Sequence, residues 1–117
     1  MKLIGVCIYT ENINRLVKFY RTVLKEEPFK EGTHYSFRDA QLAMDDSKGA
    51  KISDDNKFAL MYYVDDLMEE YERVLREIPE VVITSPPEKR PWGAFSFWFL
   101  DPDGNTVSFV ENQNHGD

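Results

Sequence analysis

The chain has 117 residues, 42% hydrophobic and 30% charged, which is enough for one core, too few for two independent domains and too apolar for a disordered polypeptide. Its net charge of −7 comes from the second half: residues 1–57 hold ten Lys/Arg against nine Asp/Glu, and residues 58–117 hold four against twelve. An acidic surface repels phosphate backbones and anionic lipid, so nucleic acid and membranes are excluded as expected partners and a small molecule is left.

The opening run from Met1 to Tyr9 meets Glu11 at once and has no small-residue cleavage site, so it reads as a strand and not as an export signal. Alternation sets Gly5, Cys7 and Tyr9 on one face and Ile4, Val6 and Ile8 on the other, which is expected to pack under helices. Cys7 is the only cysteine. No intrachain disulfide is possible, and a reducing, cytoplasmic setting is expected.

Ile13, Leu16, Val17, Tyr20, Val23 and Leu24 fall on one face of a helix starting near Asn12, with Thr10 and Asn12 both suited to cap it. Residues 35–38 and 41–44 read as short strands around Asp39-Ala40, and residues 45–57 as a polar connection. A second helix starts at Asp66, where Glu69 gives a capping-box spacing, and Leu67, Tyr71, Val74, Leu75 and Ile78 make its apolar stripe. Asp65, Asp66, Glu69 and Glu70 stand at the positive end of its dipole, which accounts for much of the second half's acidity. A strand at residues 81–83, a loop at residues 85–91 and two aromatic strands follow. The two strands are joined by Asp101-Pro102-Asp103-Gly104-Asn105. That corner has the D-x-D-G look of a calcium loop without its downstream bidentate glutamate, and its proline and glycine are what a tight turn requires.

An offset of 54 residues lays Gly5 on Ala59, Tyr9 on Tyr63, Glu11 on Asp65, Asn12 on Asp66 and Ile13 on Leu67. Phe37-Arg38-Asp39 then corresponds to Phe99-Leu100-Asp101, and Leu42-Ala43-Met44 to Val107-Ser108-Phe109. The chain is therefore expected to be one α+β domain, 1–117, of two βαβββ-type repeats at about 1–50 and 57–112. A curved mixed sheet would carry the helices on its outer face and enclose a concave cleft.

This order of elements, with Gly5 to Tyr20 at the start and Pro91-Trp92-Gly93, Asp101-Pro102-Asp103-Gly104-Asn105 and Phe109-Val110-Glu111 at the end, resembles the glyoxalase / bleomycin-resistance / extradiol-dioxygenase superfamily, the vicinal oxygen chelate fold. Enzymes of that family commonly hold a divalent metal with His or Glu from four strands. The resemblance puts those positions on Gly5, Ala43, Ala59 and Ser108, none of them a usual ligand. It therefore implies the metal-free branch: a small-molecule binding protein without a cofactor, homodimeric, sequestering a planar or cationic compound and having no catalytic residue.

The alternatives are a metal-dependent lyase or dioxygenase with a displaced site built on His34 with Asp45 or Glu111, and a non-catalytic interaction or regulatory module whose cleft is closed. The cleft face implied by the resemblance carries Cys7, Tyr9, Met61, Tyr63 and Ser108, and Trp92 and Trp98 are the aromatic side chains suited to stack on a ligand. Tyr62 alternates to the opposite face and is expected in the core. Cys7 has no activating base near it in sequence and is read as a small hydrophobe and not a nucleophile.

Overall fold

The protein is described from a computed structural model, in which residues 5–47, 58–91 and 93–112 are placed. Ile4, Trp92 and His115 lie outside the described residues. The chain divides into two compact units, Met1–Asp54 and Asp55–Asp117.

The first unit contains β1 (Val6–Thr10), α1 (Ile13–Leu24), β2 (Phe29–Glu31), β3 (His34–Phe37) and β4 (Leu42–Asp46). Its sheet order is β1-β4-β3-β2, with β1 parallel to β4 and the other pairs antiparallel. The second unit contains β5 (Ala59–Val64), α2 (Leu67–Glu77), β6 (Val82–Lys89), β7 (Phe95–Leu100) and β8 (Thr106–Glu111). Its sheet order is β5-β8-β7-β6, with β5 parallel to β8. Each unit is thus a βαβββ mixed sheet with one helix, the α+β repeat expected from the sequence. Among the described residues no helix is long and apolar enough to cross a membrane.

The repeat is visible in its caps and its register. Asn12 and Asp66, aligned by the offset, are the two N-caps: Arg15 N–H donates to Asn12 Oδ1 at 3.2 Å, and Glu69 N–H donates to Asp66 Oδ1 at 3.1 Å. Thr10, the other candidate cap, instead holds Asn12, whose N–H donates to Thr10 Oγ1 at 3.1 Å. Phe37 pairs with Leu42 across β3 and β4, as Phe99 pairs with Val107 across β7 and β8, and all four side chains are buried.

In the first unit α1 lies on β4 and encloses Leu16, Tyr20, Phe37 and Met44. In the second unit α2 covers an aromatic cluster in which Phe97 meets Phe99, Phe109 and Tyr71 at centroid distances of 5.5, 5.6 and 5.1 Å. The Arg73 side chain, almost fully buried on α2, is held by Glu70 and Glu77 at 2.8 Å each, so part of the acidity forms ion pairs along the helix.

Four expectations change. Residues 85–89 are not a loop: β6 runs through Ser85, Pro86 and Pro87 to Lys89. The prolines are tolerated because β6 is an edge strand whose register shifts at Ser85, leaving their missing N–H groups out of the ladder. β2, absent from the sequence reading, is a three-residue edge strand too short to show a period. Leu75 is 42% exposed, while the other stripe residues of α2 face inward. Val6 is 44% exposed, because β1 is the edge strand and α1 lies over β4 instead.

Candidate functional site

Sheet alternation and register gather most of the candidate residues on one face of the second unit. Ser108 on β8 pairs with Met61 on β5 and with Trp98 on β7, so the three form one row across the sheet. The neighbouring row is Tyr63, Val110 and Ser96. These residues, with Ala59, Ala94 and Thr106, line a cavity of about 530 Å³. Tyr62 also borders this cavity and is half-buried, so it is not the pure core residue that alternation implied. The opposite face carries Phe97, Phe99, Val107 and Phe109 toward α2, which fixes the outward direction of Trp98 and Ser108.

Arg90 packs against Trp98 and Ser96, two of the lining residues, without lining the cavity itself. Its guanidinium carbon stands 4.2 Å from the Trp98 ring centroid. Its Nε donates to Ser96 Oγ at 2.8 Å, its Nη2 to the Ser96 carbonyl at 3.2 Å and its Nη1 to Glu88 Oε1 at 2.6 Å. The Arg90 side chain is 4% exposed and that of Glu88 is 59% exposed, so a buried cation is matched by a largely hydrated anion. Sequence reasoning passed over Arg90 because it was read as part of a loop. The spacing Arg90-x5-Ser96-x-Trp98 becomes informative only when β6 and β7 pair.

The first unit carries a smaller counterpart. Cys7 pairs with Ala43, and Ala43 with Ser36, in the row equivalent to Met61, Ser108 and Trp98. These residues border a cavity of about 370 Å³ with Gly5 and Arg38. Tyr9 is 58% exposed on β1, opposite Asp45. Cys7 is exposed, and partial burial, with the charge of Asp45 adding to it, raises its thiol above the ordinary value. A raised thiol holds less thiolate at neutral pH.

The residues do not fit the divalent ion that the superfamily resemblance implies. Gly5 and Ala43 meet at the first cavity, and Ala59 and Ser108 at the second, so each unit brings its own pair of implied ligand positions together. Three of the four offer no side-chain donor. Gly5 also has no room for one: a Cβ there would stand 2.8 Å from the Gln41 carbonyl oxygen, which accepts from Val6 N–H. Among the described residues no three His, Cys, Asp or Glu side chains converge.

His34 Nδ1 does lie 3.2 Å from Asp45 Oδ2, but the other Asp45 oxygen accepts from Thr33 Oγ1 at 2.6 Å and from Asp46 N–H at 2.7 Å. The Thr33 hydroxyl bond leads in holding the Asp45 carboxyl below its ordinary value. Glu111, the other proposed partner, accepts Leu67 N–H at 3.1 Å and serves the start of α2.

The Asp101 corner is a turn. Asp101 is buried, its Oδ1 accepts from Asp103 N–H at 2.9 Å and Asn105 N–H at 2.8 Å, and its Oδ2 accepts from Asn105 Nδ2 at 2.9 Å. Gly104 takes φ 86°, a conformation that favours glycine.

Comparison with known proteins agrees with this architecture. No curated protein matches the chain. Among solved structures it is similar to a protein from the mobile metagenome of V. Pseudocholerae, at 26% identity and TM-score 0.72, covering 97% of this chain and 96% of the other. It is similar to a glyoxalase/bleomycin resistance protein/dioxygenase family enzyme from Burkholderia phytofirmans PsJN, at 15% identity and TM-score 0.79, covering 95% and 98%. A lactoylglutathione lyase from Agrobacterium tumefaciens is similar at 20% identity and TM-score 0.71, covering 99% and 97%. The model of the glyoxalase-like domain matches residues 3–113, nearly the whole chain, and the protein belongs to that family.

Proposed function

We propose that the protein is a metal-independent small-molecule binding protein of the glyoxalase-like family that holds a planar, mostly apolar compound on the second unit's sheet and acts by sequestering it. The observation that carries this reading is the cavity of about 530 Å³ floored by Met61, Ser108 and Trp98. Its volume falls in the range of roughly 300–1,000 Å³ typical of ligand pockets. Its walls combine apolar surface with a few hydroxyls and an aromatic plane. The lyase activity in the name of one similar structure is not carried over, because Gly5, Ala43, Ala59 and Ser108 supply no donor set for its metal chemistry. Homodimer formation and a cytoplasmic setting belong to the same proposal.

The planar half of the sequence expectation is retained and the cationic half is given up. None of the described residues lining the cavity carries a carboxylate, and the Arg90 cation packs against two of them, Ser96 and Trp98. A ring that removes ~150 Å² of apolar surface from water gains roughly 4 kcal/mol at ~25 cal/mol/Å². That corresponds to an affinity of only about 1 mM before association costs, so a tighter ligand needs a polar anchor.

The test is a titration of the protein's tryptophan fluorescence with a panel of planar aromatic compounds, paired with metal analysis of the purified protein. Saturable quenching by at least one compound, kept after chelator treatment, is the expected result. A stoichiometric divalent ion, or no response across the panel, overturns the proposal.

A further inference from the structure

We infer that Arg90 sets the charge of the ligand, and that the pocket takes a planar aromatic carboxylate rather than a neutral or cationic compound; this rests on the binding reading above. Ser96 and Trp98 both line the cavity; Arg90, not itself a lining residue, packs its guanidinium against both and so stands next to the ligand space. A guanidinium has five N–H donors in a planar fork suited to carboxylates. Three of them are engaged, by Ser96 Oγ, the Ser96 carbonyl and Glu88, and the other two have no partner among the described residues.

The countercharge is the unusual part. A cation as buried as Arg90 requires an anion close by, yet the one it has belongs to a Glu88 side chain that is 59% exposed. An exposed carboxylate is easily surrendered to water, since its pairing is offset by hydration and side-chain entropy. Glu88 therefore acts as an exchangeable counterion. A ligand carboxylate arriving from the cavity takes over part or all of its role, while the ligand ring occupies the apolar floor of Met61 and Trp98.

Three probes with one ring separate the possibilities: 2-naphthoate, 2-naphthamide and 2-naphthyltrimethylammonium, titrated calorimetrically against the full chain. The expected order is naphthoate at least tenfold tighter than naphthamide, with the ammonium compound weakest. Arg90→Gln is expected to bring naphthoate down to the level of naphthamide. Glu88→Gln, a change at an exposed side chain, is expected to tighten naphthoate several-fold and decides the matter if Arg90→Gln does not fold. Naphthamide or the ammonium compound binding as tightly as naphthoate, or a Glu88→Gln protein with unaltered naphthoate affinity, overturns the role of Arg90 and leaves the pocket standing as a binding site. Failure of all three probes to bind removes the binding reading together with this one.

Discussion

The two units share a backbone plan and differ in what they place on it. Both run strand, helix, three strands; both cap the helix at the aligned Asn12 and Asp66; both bury a phenylalanine, Phe37 or Phe99, near the end of the strand before the hairpin. On the open face the row Cys7, Ala43 and Ser36 of the first unit is small throughout, whereas Met61, Ser108 and Trp98 of the second unit alternate large, small and large. A serine between two bulky neighbours makes a trough, and a run of small side chains makes a shallow surface. The cavities, about 370 and 530 Å³, follow that difference.

Each unit also stacks an arginine on a ring, Arg38 over Phe29 at 3.7 Å and Arg90 over Trp98 at 4.2 Å. The first pair is exposed and the second is walled in. Arg38 borders the first cavity, and Arg90 packs against Ser96 and Trp98, which line the second. The helix-facing sides must keep their packing, while the open faces are free to differ.

Three perturbations sharpen the contrast. The largest effect is expected from Phe97→Ala, which removes the ring at the centre of the second unit's aromatic cluster. A loss of about 3–5 kcal/mol of unfolding free energy in denaturant titrations is expected for such a truncation. A loss below ~1 kcal/mol would mean that the cluster does not organise that unit.

Gly5→His would restore a ligand type at the first implied metal position. It should instead destabilise by about 1–3 kcal/mol through the clash with the Gln41 carbonyl, seen as a lowered melting temperature without zinc uptake. Stoichiometric zinc binding with unchanged stability would sink the steric argument.

The third comparison is between matching insertions. Ala59→Trp should fill the second cavity and weaken 2-naphthoate binding by about tenfold or more, some 1.4 kcal/mol. Ala43→Trp, in the first cavity, should leave that affinity within about twofold; an equal loss from both would show that the first unit also contributes to binding.

Much of the fold was legible because local rules and the global plan agree. The 3.6-residue stripe of α1, the Asp66 cap and the Asp101 turn depend on neighbours a few residues away, and each stands where its residue types require. The site was legible in part. Alternation placed Met61 and Tyr63 on one face, the resemblance added Ser108, and Trp98 was named for its ring; the structure joins all four in one cavity. Cys7 and Tyr9 obey the same alternation but stand on the first unit's sheet. Arg90 was missed because its role depends on the pairing of β6 with β7. Ser85-Pro86-Pro87 concealed that pairing, since two prolines read as a loop unless the strand is known to be an edge.

The sequence by itself determined the repeat, the helices and their caps, the turn at Asp101 and the absence of donor side chains at Gly5, Ala43 and Ala59, all consequences of short-range backbone preferences and of residue type. Only the tertiary structure decided that Ser108 lies between Met61 and Trp98, that the Gln41 carbonyl leaves no space for a side chain at Gly5, and that Arg90 is a buried cation stacked on Trp98. Those are matters of strand register and of close approach between residues distant in the chain, and no local propensity encodes them.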